Sequence, residues 1–187
     1  NNTFLSRVIG NCDEKKISAS LMTTFSVREC TDNNKISKCE PKVRTNKISQ
    51  LSKTPLLLND YRLLRKGLID EISSDYGIFQ INDDILFSCE YSINPYYDIN
   101  GVGLLYFASY PIISDKCFDE YYQKNDNLQT IYRDIFYFAN CNSSEKIIFT
   151  LNSIEEIENG LKTTVSLYRK SDNQLLSKIL TIKQKIE

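Results

Sequence analysis

Residues 95–111 read Pro95-Tyr96-Tyr97-Asp98-Ile99-Asn100-Gly101-Val102-Gly103-Leu104-Leu105-Tyr106-Phe107-Ala108-Ser109-Tyr110-Pro111. An acid, a side-chain amide and two glycines stand just ahead of an apolar, helix-forming run. Asp98 and Asn100 can face a substrate, while Gly101 and Gly103 let the backbone approach a carbonyl group and aim N–H groups at it. The same pattern also reads as a glycine turn that merely joins a strand to a helix. Its surroundings decide between the two.

Downstream, the spacing predicts a helix near 110–124. Ser109 can cap it, and Pro111 falls in the first turn, where a missing N–H costs nothing. Ile113, Cys117 and Tyr121 form one stripe with Phe118 and Tyr122 beside it, so one face should pack on a sheet. Alternating patterns predict strands near 77–81, 84–93, 130–139, 145–153, 161–170 and 174–184, with Asn159-Gly160 as a hairpin turn. The expected outcome is an α+β fold in which one central helix is wrapped by a strongly curved antiparallel sheet.

A second signal is internal. The segment Thr23 to Lys38 (TTFSVRECTDNNKISK) lies without gaps on Thr163 to Lys178 (TTVSLYRKSDNQLLSK), and both read as a strand, a polar Asp-Asn turn and a returning strand. Upstream, Asn11-Cys12 and Lys16-Ile17 echo Asn140-Cys141 and Lys146-Ile147. Two copies of one unit are expected, with the first cut short. Residues 1–42 would hold its last strands, 43–75 a connection, and 76–187 the complete second unit. Pro41 and Pro55 bracket polar stretches in the connection, and Leu57, Tyr61, Leu64 and Leu68 predict a short helix ending near Gly67. The chain opens on Asn1 and its one methionine is Met22, from which a start inside a longer reading frame is expected.

Composition narrows the function classes. Lysine and arginine total 23 against 24 acids, a net charge of −1, which gives no electrostatic case for nucleic acid or an anionic membrane. No apolar run approaches the roughly 20 residues of a spanning helix. The sequence has no histidine, so Cys/His zinc sites and histidine-based triads cannot be built from this chain, and no metal site is expected. Its six cysteines include no Cys-x-x-Cys pair. Reduced thiols in a cytoplasmic protein are the expectation.

The segment from Pro95 to Pro111, together with Arg133-Asp134-Ile135-Phe136-Tyr137-Phe138-Ala139-Asn140, resembles the double hot-dog acyltransferase/decarboxylase family of polyketide pathways, typified by the leinamycin enzyme. The resemblance covers 76–187 directly and 1–42 through the repeat. It implies a double hot-dog fold with the first copy truncated. It also implies decarboxylation of a malonyl- or methylmalonyl-type CoA and transfer of the acyl group to an acyl carrier protein. No separate cofactor is implied, because CoA or phosphopantetheine arrives as part of the substrate. The family's acyl-accepting tyrosine is expected upstream of Asn1. A hot-dog acyl-thioesterase and a non-catalytic acyl-binding module are the rivals, and a homodimer stays open.

Within this frame, N–H groups around Gly101 to Gly103 could hold an oxyanion or enolate, with Asn100 or Asn140 adding hydrogen bonds. Asp98 could be a base or nucleophile, or else a turn cap. Tyr106 and Tyr110 could line an acyl pocket or simply pack in the core. Arg133 could contact a CoA phosphate or pair with Asp134 at a strand edge. Cys117, on the buried stripe with no histidine to activate it, is not read as a nucleophile.

Overall fold

The computed structural model describes residues 3–12, 15–40, 52–123 and 127–186. Pro41, the polar stretch after it and the far end of the predicted central helix near 124 lie outside the described residues. In chain order the elements are β1 (Thr3–Cys12), β2 (Lys15–Thr24), β3 (Ser26–Arg28), β4 (Ile36–Lys38), α1 (Leu56–Arg65), β5 (Glu71–Ser74) and β6 (Gly77–Gln80). They continue with β7 (Phe87–Ser92), α2 (Ser109–Tyr121), β8 (Leu128–Tyr137), β9 (Lys146–Ile157), β10 (Gly160–Arg169) and β11 (Gln174–Lys185).

Five strands form one antiparallel sheet in the order β7-β9-β10-β11-β8. Register shifts at Thr164/Val165, Leu167/Tyr168 and Ile182/Lys183 interrupt three of its ladders, and such bulges bend a strand and increase its twist. The sheet curls round α2. Tyr110, Ile113, Cys117 and Phe118 of the helix are buried against Ile147, Phe149, Leu151, Val165, Leu167 and Ile179 of the sheet. Burying a side chain such as Ile113 contributes about 1.5–3 kcal/mol. This is the hot-dog architecture.

The opposite face of the sheet is covered as well. Phe136, Leu180 and Ile182 point away from α2 and pack with Leu64 of α1 and with Ile72 and Phe79 of the β5–β6 hairpin. That hairpin, paired from Glu71↔Gln80 to Ser74↔Gly77, straddles residue 76, where the complete unit was expected to begin. Both strands are short, so the first, Glu71–Ser74, carries too few alternations to stand out from the connection.

The aligned repeat segments also pair alike. Ser26↔Lys38 and Val27↔Ser37 in β3–β4 match Ser166↔Lys178 and Leu167↔Ser177 in β10–β11. The upstream echo does not carry over. Asn11 and Cys12 end β1 with Lys16 facing Asn11 across the hairpin, whereas Asn140 and Cys141 lie in the loop before β9 and Lys146 opens that strand. Among the described residues, β1 and β2 form a sheet of their own with no third strand, and Val8 is 69 % exposed.

Candidate active site

The loop between β7 and α2 is built from side chains that fold back on their own backbone. The Asp98 carboxylate Oδ2 accepts the Asn94 N–H at 2.8 Å and the Tyr91 hydroxyl at 2.9 Å, while the Asp98 N–H donates to the Asn94 carbonyl at 2.8 Å. This reciprocal pair closes the turn over Tyr96 and Tyr97. Burial, then the Asp98 bond, pushes the Tyr91 hydroxyl up to about 12, so it stays protonated and a donor at neutral pH.

Asn100 ties the next turn. Its Oδ1 accepts the N–H groups of Val102 (3.1 Å) and Leu104 (3.0 Å), and its carbonyl accepts that of Gly103 at 2.8 Å. Of the N–H groups expected to form an oxyanion hole at Gly101 to Gly103, those of Val102 and Gly103 thus serve Asn100, while the Gly101 N–H makes no hydrogen bond to the described residues. Gly103 has φ +81°, a left-handed conformation that favours glycine. A Cβ on Gly101 would meet nothing within 4 Å, so no packing contact there requires the glycine.

The loop then turns into the helix. The Asp98 carbonyl accepts the Tyr106 N–H at 2.7 Å and the Ser109 hydroxyl at 3.2 Å. Ser109 was expected to cap α2; instead it is the first helical residue, and Ala108 takes the cap position with no side-chain bond to the helix. The Ser109 N–H donates to the Tyr106 carbonyl at 2.9 Å and Pro111 has no N–H, so among the first residues of α2 the Tyr110 N–H is the one without an intrahelical acceptor, at the positive end of the helix dipole. Asp98 is 4 % exposed, and among the described residues its Oδ1 accepts no hydrogen bond. A carboxylate oxygen with an open lone pair and a helix start without a side-chain cap are thus joined by the Asp98 backbone.

The other expected residues separate into those at this end and those not. Asn140 is here, but its amide is spent: Oδ1 accepts the Leu105 and Cys141 N–H groups, and Nδ2 donates to the Leu105 carbonyl. Tyr110 is buried, with its hydroxyl on the Ala139 carbonyl at 2.9 Å, and is a core strut rather than a pocket lining. Tyr106 and Phe107, 40 % and 54 % exposed, sit edge to face at 4.6 Å beside the helix start. Arg133 makes a two-pronged pair with Asp115 of α2 at 2.6 and 3.0 Å and donates to Thr181 and Thr130, which pins helix to sheet. Asp134 instead accepts the Tyr132 hydroxyl.

Sequence reasoning missed Asn33, which reaches this end from the β3–β4 turn. Its amide donates to the Gly103 carbonyl at 2.6 Å and the Cys141 carbonyl at 2.9 Å. Only the Asp-Asn turn of the repeat could have pointed to it. Burial raises the Cys117 thiol and pushes Cys141 up to about 12, so neither is a thiolate at neutral pH. Among the described residues no group of three or more acidic or cysteine side chains converges to hold a metal ion. A depression of about 350 Å³ lies at the far end of α2, lined by Tyr122, Glu156 and Lys185 among others, away from the glycine loop.

No protein-family model matches the sequence, and no curated protein matches it. Solved structures do. A 1,4-dihydroxy-2-naphthoyl-CoA thioesterase from Synechocystis is similar at 17 % identity over 54 % of this chain and 81 % of its own, with a TM-score of 0.48. A thioesterase from Thermus thermophilus, complexed with coenzyme A and zinc, is similar at 9 % identity over 55 % of this chain and 86 % of its own, TM-score 0.49. A Staphylococcus aureus protein in complex with CoA is similar at 16 % identity over 58 % of this chain and 74 % of its own, TM-score 0.47. At these identities the likeness is one of fold.

Proposed function

We propose that this protein hydrolyses acyl thioesters of coenzyme A or of a phosphopantetheine arm, with Asp98 as the general base. The observation that carries the reading is the state of that carboxylate. Two donors fix Oδ2, Oδ1 is left free to take a proton, and the same residue's backbone is tied to the start of α2 through Tyr106 and Ser109.

Oδ1 removes a proton from a water molecule as the water oxygen attacks the thioester carbon. The carbonyl oxygen gains negative charge, which the Tyr110 N–H and the dipole of α2 stabilise. The tetrahedral intermediate then collapses, the C–S bond breaks, and the departing thiolate takes the proton held by Asp98. Base catalysis of this kind contributes typically 10²–10⁴-fold. Tyr106 and Phe107 offer an apolar rim for the acyl chain.

Decarboxylation with transfer to a carrier protein, the activity implied by the resemblance, is less well served. A malonyl-type substrate would bring a second carboxylate toward Asp98, and like charges in a poorly solvated place repel. Of the N–H groups that would have held its enolate, those of Val102 and Gly103 are spent on Asn100.

The reading is tested by incubating the protein with acetyl-, long-chain acyl-, aryl-, malonyl- and methylmalonyl-CoA, with and without a carrier protein, and following the products by mass spectrometry. Free acid and CoA in equal amounts are expected. Loss of carbon dioxide with an acylated carrier would replace hydrolysis by transfer, and binding without turnover would make this a non-catalytic module.

A further inference from the structure

The hairpin turn between β3 and β4 crosses to the candidate site and makes more side-chain contact there than a solvent-exposed turn needs. Asn33 lies in the turn and is 3 % exposed. Its Nδ2 donates to two carbonyls from different walls of the site, Gly103 on the glycine loop and Cys141 on the loop before β9. Its N–H donates to Asn142 Oδ1 at 2.9 Å, and its own Oδ1 accepts Arg28 Nη1 at 2.6 Å. Arg28 Nη2 then donates to the Val102 carbonyl at 2.8 Å, with Nη1 lying 3.5 Å from where a Cβ on Gly103 would be. Asp32 and Asn34 add bonds to Asn142, Glu145 and Arg169.

From these contacts we infer that Asn33 is a positioning residue of the site, acting through Gly103. The argument rests on the thioesterase reading of Asp98. Gly103 sits in a left-handed conformation that other backbone arrangements can replace, so some contact must select it. The bond from Asn33 to its carbonyl does so. Because the Gly103 N–H is held by the Asn100 carbonyl, and the Tyr106 N–H by that of Asp98, fixing Gly103 fixes the path from Asp98 to the head of α2. The second bond, to Cys141, holds the wall that carries Asn140, whose amide clasps Leu105. One carboxamide thus sets the spacing of both walls. Removing it leaves two carbonyls poorly paired beside the reacting groups.

The test compares Asn33→Ala with the whole wild-type chain in steady-state hydrolysis and in amide hydrogen exchange. A positioning role predicts a fall in kcat of at least about tenfold with little change in KM, since misplacement by an ångström costs about that or more. It also predicts faster exchange at Val102 to Leu105 with unchanged exchange in β9 and β10. Arg28→Ala, at a partly exposed position, is the second variant should Asn33→Ala fail to fold, and it should shift both readouts in the same direction by less. Unchanged exchange at Val102 to Leu105, or faster exchange with unchanged kcat, overturns the inference. If the wild-type chain hydrolyses no thioester, the function reading falls, while the exchange comparison still decides whether Asn33 holds the loop.

Discussion

The side-chain amide of Asn140 pairs with the backbone of Leu105 as one strand pairs with the next. Its Oδ1 accepts the Leu105 N–H at 2.9 Å, and its Nδ2 donates to the Leu105 carbonyl at 3.0 Å. Leu105 is buried, so water cannot readily replace these bonds. Asn140→Ala is expected to lower stability by about 2–6 kcal/mol, with the Leu105 N–H and carbonyl left unsatisfied at about 1–3 each. Asn140→Asp keeps the acceptor for Leu105 and should cost less. Urea unfolding of the two variants checks this ordering, and an unchanged midpoint for Asn140→Ala contradicts it.

Asp115 predicts how the fold responds to acid. Its burial would raise the carboxyl, but bonds from Arg133 and then Lys183 outweigh that and hold it below the usual value. A depressed carboxylate contributes stability that is present above the unfolded value of about 3.9 and is lost as pH falls through the lower folded value. Melting temperature should therefore drop below about pH 4 in the wild type, and less steeply in Asp115→Asn, which is already weakened at neutral pH. Arg133→Ala should destabilise by less than the roughly 3–5 kcal/mol that breaking a fully buried pair costs, because Asp115 is partly exposed and keeps Lys183 at 2.9 Å, yet leave the KM for a CoA thioester unchanged. A rise in KM without a loss of stability would return Arg133 to phosphate binding.

Gly160 opens β10 where it crosses β11. A Cβ there would lie 2.1 Å from the Lys183 carbonyl oxygen, and backbone cannot swing aside as a side chain can. Gly160→Ala should cost about 1–3 kcal/mol or more by overpacking, read as a lower thermal midpoint. A midpoint equal to that of the wild type would show that the two strands are further apart.

Local chemistry made most of the fold legible. The Ile113, Cys117 and Phe118 spacing located α2 to within a residue at its start, and alternation located β8 to β11. Asn159 adopts φ 62° in the β9–β10 turn, as an Asn-Gly signal leads one to expect. The site was less legible. Asp98 and Asn100 stood out by residue type, but which N–H groups remained open depended on Asn100 folding back on Val102 and Leu104, a choice that spacing alone does not reveal. Arg133 meets Asp115 across 18 residues from strand to helix, and Asn33 meets Cys141 across 108. Pairings of that range are set by packing, and no local pattern announces them.

The central claim is that Asp98 supplies the base from its free oxygen. The direct measurement is single-turnover hydrolysis of a bound acyl-CoA by the wild type and by Asp98→Asn, with CoA affinity and melting temperature measured on the same samples. Asn at this position can still accept the Tyr91 and Asn94 hydrogen bonds but cannot take a proton, so the rate should fall by about 10²–10⁴-fold with affinity and melting temperature nearly unchanged. An undiminished rate in Asp98→Asn would remove Asp98 from the chemistry and leave it as the cap of the Asn94 turn.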